Sequence, residues 1–417
     1  MAYAEKRAST AKGKKGKATW RARYKKPDGT WGSEPGFPTK RTAEDWGDAQ
    51  EVAIREGRWI DPDLMRKPFG TWAREWMKSR SPRGRTTSTR WARLDAHILP
   101  RWEHTPLIGI TWFDAEAWAN SLDCDDSTAT QCLTIMSMIL TGAVDAKHLL
   151  VNPLAGRRRS RPASVKAQIQ KKDTTKLWAP PEVVLQVARR AGPVNGLHML
   201  TTAFAGPRWG EGLALRADAL GERREPHEGG EFRCATLSIV EEVAEYQPRD
   251  EDGNKLPMVL CLEPVKTAES KRDVDLPPFL AELLAAHVAA HPHEYLFCTA
   301  AGKWWRRSNF GRQVMRPAAA GREARATVRG HAAREAVPPI MPGLTMRALR
   351  HTHDTYQDQI GVKPALAFEQ AGHKRPGIKA VYQHPTPDMR RDRLEGLQGI
   401  YERAMRALGW SRVWEHS

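Results

Sequence analysis

The first regular pattern in the chain is an alternation of apolar and basic side chains within residues 15–60. The stretch ATWRARYKK predicts a β-strand, because successive side chains of a strand point to opposite faces. One face would carry Trp20, Ala22 and Tyr24, and the other Arg21, Arg23 and Lys25. A Pro-Asp-Gly turn at 27–29 leads into a second strand, and a helix follows from an N-cap at Thr42 to Gly57. We expect a small sheet with one helix and a basic open face.

The apolar spacing changes to that of helices between Pro68 and Leu154. Ser127 is the predicted N-cap of one helix. Its apolar stripe follows the i, i+3, i+4, i+7 pattern and comprises Cys132, Ile135, Met136, Ile139 and Ala143. The pattern predicts an all-α domain of four helices, and these stripes are best explained as its core.

Residues 156–176 show no apolar period, which is typical of an exposed linker. Helical patterns follow at about 180–192, 196–204 and 210–218, strand-like patterns at 235–240, 258–266 and 271–277, and helical patterns again to the end. Strands grouped inside a helical domain favour an α+β fold, mostly helical with a small antiparallel sheet.

We therefore expect a multidomain chain of 417 residues. The predicted parts are a basic tail with a small sheet-plus-helix module at 1–65, a helical domain at 66–155, a basic linker at 156–176 and an α+β domain at 177–417. The last segment, with apolar residues Leu394, Leu397, Ile400, Met405 and Leu408 near one side, is amphipathic. Docking on a neighbouring subunit and packing on its own domain are equally compatible with that pattern.

Positive charge is concentrated rather than spread. The formal net charge is +17, and residues 1–26 hold ten lysines and arginines against one glutamate. Residues 156–176 hold eight against one aspartate. Such segments indicate a polyanionic partner, for which nucleic acid is the first hypothesis and a solubilising tail with a charged linker the alternative. The candidate DNA-binding residues are Arg21, Arg23, Lys25, Arg157, Arg158, Arg159 and Arg161.

The composition narrows the setting of the protein. It is 40% hydrophobic and 28% charged, as in folded proteins, and no apolar run approaches the roughly 20 residues that span a bilayer. The basic N-terminus lacks the apolar core of a secretory signal. The five cysteines lack CxxC spacing, so we expect neither structural zinc nor a disulfide framework, and a reducing cytoplasm fits.

Three places in the last domain hold cations that a packed core would not require. In AGPRWGEGLALR, Arg208 stands at a helix start and shares a helix face with Glu211, which could steady its guanidinium. Lys266 lies where a strand ends and a polar turn begins. In LTMRALRHTHDT, a helix carries Arg347 and Arg350 on one face, and the stretch QAGHKRPGIKAVYQH follows.

In order and spacing these motifs resemble the tyrosine recombinases, the phage-integrase family. Members of that family carry an Arg in a segment like AGPRWGEGLALR, a Lys on a β-hairpin, an Arg followed by His as in ALRHTHDT, and then a Gly-His pair. A Tyr follows nine residues after that His, and here His373 and Tyr382 have this spacing. The resemblance covers residues 177–405 by motif, which implies that the domain at 177–417 is catalytic. In placement alone, the N-terminal module is similar to the arm-binding domain of the family and the helical domain to its core-site-binding domain. The high Trp, Arg and Ala content suggests a GC-rich, actinobacterial-type phage or integrative plasmid.

The resemblance implies a covalent mechanism. Tyr382 would attack the scissile DNA phosphate, giving a 3′-phosphotyrosyl link and a free 5′-hydroxyl. Arg208 and Arg350 would grip the non-bridging oxygens, and His373 would donate a further hydrogen bond. Lys266 would protonate the departing 5′-oxygen, and the nearby Lys271 and Arg272 are alternatives for this role. Glu211 would support the arginines from behind. It implies no cofactor and no metal.

One position departs from the family pattern. Three residues before Arg350 the family usually has a histidine, and this chain has Arg347, whose pKa is too high to accept a proton. Arg347 could still bind phosphate. The acceptor of the proton of Tyr382 stays open among water, the phosphate itself and His351, His353 or His384.

The resemblance also implies partners. These are double-stranded DNA at attachment sites and three further copies of the chain in a tetrameric synapse, with a monomer expected in solution. An excisionase and a host DNA-bending factor are further candidates. The expected location is the bacterial cytoplasm, at the nucleoid during the reaction, without a membrane role. Two alternatives are a type IB topoisomerase-like enzyme, which needs no second DNA-binding module, and a non-catalytic DNA-binding regulator on the same fold.

Overall fold

The computed structural model of the protein describes residues 2–7, 19–80, 83–160, 177–228, 230–251, 253–327, 332–374 and 384–414. The chain divides into two compact units. The first comprises Met1–Lys172 with Arg249–Lys255, and the second Asp173–Pro248 with Leu256–Ser417.

The N-terminal sheet of the first unit has three antiparallel strands in the order β1-β2-β3. They are β1 (Tyr3–Arg7), β2 (Thr19–Lys25) and β3 (Trp31–Phe37). The predicted alternation in β2 is confirmed, because Ala22 and Tyr24 are buried while Lys25 is exposed. Strand β1 lies in the segment that the sequence assigned to a basic tail. Three of its five residues are charged, so only its pairing with β2 reveals it.

Helix α1 (Lys40–Arg55) follows the sheet and packs on β2. Its N-cap is Thr39, not Thr42 as predicted. The two threonines form a capping box in which Thr42 is the third helical residue, so both satisfy free backbone amides of the first turn. Gly57 follows the helix with φ of 71°, a conformation that glycine adopts without strain, and the predicted helix end is confirmed.

The helical domain of the first unit is built as the spacing predicted. Its helices are α2 (Pro62–Met65), α3 (Phe69–Lys78), α4 (Gly84–Arg93), α5 (Leu99–Trp102), α6 (Trp112–Ser121) and α7 (Asp126–Asp145). A π-helical turn at Leu94–Ile98 joins α4 and α5 into one continuous segment. From α3 to α7 the chain therefore has four helical segments, and they surround one core. The N-cap of α7 is Asp125, not Ser127, and the helix begins two residues earlier than the pattern indicated.

Helix α7 supplies much of that core. Within the part of the chain that the structure describes, it is the single helix whose length and apolar composition would suffice to cross a membrane. Its residues Cys132, Met136, Ile139, Leu140 and Ala143 are each 0% exposed. A fully packed apolar face is what a core helix of a folded domain requires, and it accounts for the composition of α7.

The second unit is mostly helical with small antiparallel sheets, which confirms the predicted α+β class. Its helices are α8 (Pro181–Ala191), α9 (Pro193–Phe204), α10 (Trp209–Leu213), α11 (Pro278–Ala290), α12 (Arg307–Phe310), α13 (Arg316–Ala320), α14 (Met346–Gln359), α15 (Pro364–Ala371) and α16 (Pro387–Ala407). Its strands are β4 (Leu220–His227), β5 (Gly230–Ile239), β6 (Glu241–Tyr246), β7 (Val259–Pro264) and β8 (Arg272–Asp275).

The strands of this unit form two sheets, one in the order β4-β5-β8 and one of β6 with β7. The patterns at 235–240, 258–266 and 271–277 fall on β5, β7 and β8. The sequence pattern did not predict strands β4 and β6, because their sequences, LGERREPH and EEVAEY, are rich in charged residues. Each is stabilised by antiparallel pairing with a more apolar neighbour, which local propensity does not reveal.

The apolar face of helix α16 packs on its own domain, which was one of the two arrangements compatible with the amphipathic sequence. Leu397, Ile400, Ala404 and Met405 are buried in the core of the second unit. The amphipathic face predicted from the sequence is therefore covered by the same chain.

We predict that Leu397→Ala lowers the free energy of unfolding by about 2–5 kcal/mol, because Leu397 is 0% exposed and its loss leaves a cavity. Urea denaturation of the full chain measures this. The matched control is Glu395→Ala, an exposed position on the same helix, expected to change stability by less than about 0.5 kcal/mol. Equal effects of the two substitutions would contradict packing of α16 within its own domain.

Candidate active site

The site is built around the turn Gly206-Pro207-Arg208 between α9 and α10. Gly206 has φ of 73°, and a Cβ atom there would lie 2.4 Å from Cδ2 of His353. Only glycine fits this position. Arg208 then stands at the N-cap of α10 with its side chain 35% exposed, so the turn presents the guanidinium at the surface.

Beneath that surface, the buried carboxylate of Glu211 contacts the arginine side chains of the site. Its carboxylate is 1% exposed and accepts the backbone amide of Arg208 at 2.8 Å and Nη1 of Arg208 at 2.6 Å. Nη2 of Arg272 donates to the same carboxylate at 3.0 Å, and Nη1 of Arg350 lies 3.9 Å from it. The glutamate that the sequence placed behind Arg208 thus serves three arginines.

The balance of forces on Glu211 favours its charged form. Burial alone would raise its pKa, but the charge and hydrogen bonds of Arg272, with those of Arg208, outweigh burial and hold the pKa below the ordinary value of 4.5. Glu211 therefore stays a carboxylate at neutral pH. Its negative charge is what allows several guanidinium groups to remain close together.

Arg350 projects from α14 and is anchored by backbone carbonyls. It donates to the oxygen of Gly206 and, at 2.8 Å, to the oxygen of Ala371, and its Nη2 lies 3.4 Å from Nε2 of His373. Burial and the nearby charge of Arg208 lower the pKa of Arg350 to about 10. It remains charged at neutral pH, and a bound anion would relieve the repulsion between the two arginines.

A second glycine brings His373 to the two arginines. Gly372 ends α15 with φ of 63°, and a Cβ atom there would lie 2.8 Å from Nη1 of Arg272. Its carbonyl oxygen lies 3.5 Å from Nη2 of Arg208. The left-handed residue turns the chain so that His373 follows next to Arg350.

His373 is exposed and carries no stable positive charge. Partial loss of solvent around its ring, together with the charges of Arg350 and Arg208, lowers its pKa from the ordinary 6.5. It is mainly neutral at pH 7 and can donate one ring N–H to an anion. The structure therefore brings Arg208, Arg350 and His373 together, with donors available at one surface.

Two predicted site residues stand apart from this cluster. Lys266 is exposed just beyond β7, and Arg347 is exposed on α14. Within the part of the chain that the structure describes, neither side chain makes a hydrogen bond or an ion pair. Their predicted roles stay predictions, and so does that of Tyr382, which lies outside the described residues.

The three histidines considered as proton acceptors differ in their surroundings. His353 is 1% exposed, packs against Gly206 and has its Nδ1 3.3 Å from the oxygen of Ala203. Burial holds its pKa well below 6.5, so His353 is a packing residue that water does not reach. His351 is half-buried and lies 3.9 Å from Asp354, and His384 is exposed. His351 and His384 stay candidates.

The predicted DNA-binding residues differ in solvent exposure and in their contacts with other residues. Lys25, Arg157 and Arg158 are exposed, whereas Arg21 and Arg23 lie close to Glu5 of β1. Arg161 lies outside the described residues.

Arg159 has a structural role that its sequence context did not indicate. Its side chain is 7% exposed, and it donates to Asp126 at 2.7 Å and to Asn120 at 2.7 Å. Its guanidinium is therefore committed to the helical domain and is removed from the set of DNA-contacting candidates.

Arg272 belongs to the site in a role that the sequence did not indicate. It was an alternative to Lys266 as the hairpin cation, yet it is 7% exposed and bound to Glu211. The signal was the alternation of β8, because Arg272 lies on the same strand face as the buried Val274. Lys271, one position earlier, is exposed and remains the alternative to Lys266.

Over the described ranges, no group of three or more His, Cys, Asp or Glu residues is placed to hold a metal ion. The positive charge of the described site comes from arginine side chains.

Comparison with solved structures identifies the fold. The Tn1549 transposon integrase in complex with transposon right end DNA matches with a TM-score of 0.51 and 15% identity, covering 79% of this chain and 98% of that chain. The same integrase with circular intermediate DNA matches with 0.51 and 15%, covering 78% and 98%. A lambda integrase dimer bound to a COC′ core site matches with 0.47 and 17%, covering 89% and 93%.

The chain therefore has the fold of the tyrosine recombinase integrases, as the motifs predicted. No protein-family model matches the chain, and none of the curated proteins matches it in sequence. At 15% identity the likeness describes the fold, and the site must be argued from its own residues.

We predict that His373 titrates below pH 6.5 in the free protein and that Arg350→Gln moves its pKa upward, because one repelling positive charge is removed. A pH titration followed by NMR of the histidine ring measures both. Arg347→Gln removes an exposed arginine of the same helix and is expected to leave the titration unchanged. A His373 pKa unaffected by Arg350→Gln would contradict the described contact.

Proposed function

We propose that the protein is a site-specific DNA recombinase, an integrase that cuts and rejoins DNA through a 3′-phosphotyrosyl intermediate. The observation that carries this proposal is the cluster of Arg208, Arg350 and His373 around the buried Glu211, in a tyrosine recombinase fold. Two guanidinium groups and a neutral imidazole offer the donors that a phosphate in transition between two esters requires. The Tn1549 integrase of the same fold was solved with DNA, which supports DNA as the substrate.

The proposed step is a transesterification. The phenolic oxygen of Tyr382 bonds to the phosphorus, and the bond from phosphorus to the 5′-oxygen breaks. The phenolic proton passes to water, to the phosphate, or to His351 or His384, and Lys266 gives a proton to the departing 5′-oxygen. The ester energy is retained, so the 5′-hydroxyl of another strand can reverse the step without a nucleotide cofactor.

The arginines supply the electrostatic part of catalysis. Arg350 is held by two backbone carbonyls and Arg208 by Glu211, so neither needs to reorganise when the phosphate becomes more negative. Preorganised donors of this kind are worth about 3–4 kcal/mol each when they are removed singly. The proposed chemistry needs no metal, because guanidinium groups neutralise the non-bridging oxygens.

The wider assignment follows from the same proposal. A tetramer on two attachment sites would integrate a mobile element and, with an excisionase and a host DNA-bending factor, excise it. The basic linker and the N-terminal module would add DNA contacts and so raise the effective concentration of the catalytic domain. The bacterial cytoplasm is the corresponding location.

Two other functions would use the same fold. A topoisomerase-like enzyme would relax supercoils with the same residues, and a regulator would bind DNA without cutting it. The separate anchoring of Arg208 and Arg350 beside His373 disfavours the regulator, because DNA binding alone would not require both guanidinium groups to be fixed in position. Strand exchange between two sites distinguishes integration from relaxation.

We predict that Tyr382→Phe abolishes a covalent protein–DNA adduct that the wild-type chain forms on a nicked duplex taken from the DNA flanking its gene. The nick lets the short 5′-hydroxyl fragment diffuse away, so the adduct accumulates and is counted on a denaturing gel. Tyr401→Phe is the matched control, since it removes a hydroxyl elsewhere in the same unit while keeping the ring stacked on Phe279. A wild-type adduct that persists in Tyr382→Phe would exclude Tyr382 as the nucleophile.

We predict that Lys266→Ala slows cleavage of normal DNA by about 100-fold or more and that a 5′-bridging phosphorothiolate restores the rate, because a thiolate leaves without a proton. Single-turnover cleavage of the two substrates measures the ratio. Lys271→Ala tests the neighbouring exposed lysine under the same conditions. If the phosphorothiolate rescues Lys271→Ala instead, Lys271 is the general acid.

A further inference from the structure

A buried carboxylate of β8 ties together two parts of the chain that lie on either side of Tyr382. Asp275 is 0% exposed. Its Oδ2 accepts from Nη1 of Arg390 at 2.8 Å and from Nε2 of Gln370 at 3.1 Å. Gln370 precedes residues 374–384 and Arg390 follows them, so both flanks of this segment converge on one side chain.

Two further contacts strengthen the convergence. The backbone amide of Asp275 donates to Oε1 of Gln370 at 2.9 Å, so the glutamine is held at both ends of its amide. Arg390 also pairs with Glu369 at 2.8 Å, which joins the two flanks directly. Oδ1 of Asp275 accepts from Arg223 at 2.7 Å, so the carboxylate is fully engaged.

The same cluster reaches the phosphate-binding arginines. Arg272 donates through Nε to the carbonyl oxygen of Gln370 at 2.8 Å, and its other nitrogens bind Glu211. Two residues beyond Gln370, the carbonyl oxygen of Gly372 meets Arg208. A continuous set of described contacts therefore runs from α16, through Asp275 and Gln370, to the arginine cluster.

Packing alone does not explain why α16 is held by charges. Leu397 and Ile400 already bury its apolar face. Arg390 and Arg393 are nonetheless 4% and 1% exposed, and Arg393 donates to the carbonyl oxygen of Asp275 at 3.0 Å. Buried ion pairs add little to stability compared with apolar side chains, but their directional bonds fix one register of the elements they join.

We propose that Asp275, acting with Gln370 and Arg390, is a positioning residue that fixes both flanks of residues 374–384 and thereby sets where Tyr382 meets the phosphate. This inference rests on the proposed recombinase function. Holding both ends of a segment limits the conformations it samples. A displacement of the nucleophile by about 1 Å can cost about 100-fold in rate, so the anchoring of the flanks bears directly on cleavage.

The test compares two nucleophiles at the same phosphate. In the otherwise unchanged chain, Asp275→Asn is expected to slow formation of the Tyr382 adduct by about 10- to 100-fold, with DNA affinity within about twofold of the wild type. In the Tyr382→Phe background, hydrogen peroxide replaces the phenol: its oxygen bonds to phosphorus and the 5′-oxygen departs. That reaction uses the arginine cluster but not the tyrosine, so Asp275→Asn should leave its rate unchanged.

A neighbouring aspartate is the matched control. Asp273 lies on the same strand and is exposed, so Asp273→Asn should leave both reactions at the wild-type rate. Glu369→Gln is a second, milder variant. It breaks the direct tie to Arg390 at a carboxylate that is 35% exposed, and a smaller fall in adduct formation is expected with thermal stability near that of the wild type. This variant keeps the test decisive if Asp275→Asn does not fold.

The outcomes separate the two levels of inference. If the wild type forms no Tyr382-dependent adduct, the proposed function fails. If the wild type forms the adduct and both Asp275→Asn and Glu369→Gln form it equally fast, the positioning role fails. An equal loss of tyrosine and peroxide cleavage also overturns the positioning role, because it shows that the substitution acts on the arginine cluster or on folding.

Discussion

The cluster of Arg208, Arg272 and Arg350 depends on one buried negative charge, the carboxylate of Glu211. Guanidinium groups repel one another, and removing them from water is costly, so a cluster of arginines needs a compensating anion in the free protein. Glu211 supplies it from the first turn of α10, bonding to Arg208 and Arg272 and lying 3.9 Å from Arg350. Because Glu211 is covered, its charge acts on the arginines without competing for the surface where a phosphate would bind.

The glycines on either side of this carboxylate explain how side chains from distant parts of the sequence meet. Gly206 lets the chain pass against His353, and Gly372 lets it turn over Arg272, in each case where a Cβ atom would collide. The carbonyls of these two residues and of Ala371 then accept bonds from the arginines. The backbone conformation at these glycines and the positions of the arginines are therefore linked. A shift of the backbone at Gly206 or Gly372 would displace a carbonyl oxygen that holds an arginine.

Much of this arrangement could be predicted from the sequence, because its signals are local. Helical spacing located the main helices, and the order of Arg208, Arg350 and His373 indicated that they share a site. Caps were misplaced by a few residues, since Thr39 and Asp125 compete with nearby threonine and serine. The charged strands β4 and β6 and the buried Arg272 were not recognised, because their stability comes from partners far away in the sequence, which local patterns do not contain.

Glu211 and Asp275 are the buried carboxylates at the centres of two separate clusters in the second unit. Glu211 leaves part of each of Arg208 and Arg350 facing outward, so its cluster remains open to an anion. Asp275 is buried, and its carboxylate already accepts hydrogen bonds from Arg390 and Gln370. It therefore has no acceptor site facing the solvent. Arg272 connects the two clusters, since it bonds both to Glu211 and to the carbonyl of Gln370. An anion drawn to the first cluster would thus meet side chains whose supporting contacts extend to the helix that follows Tyr382.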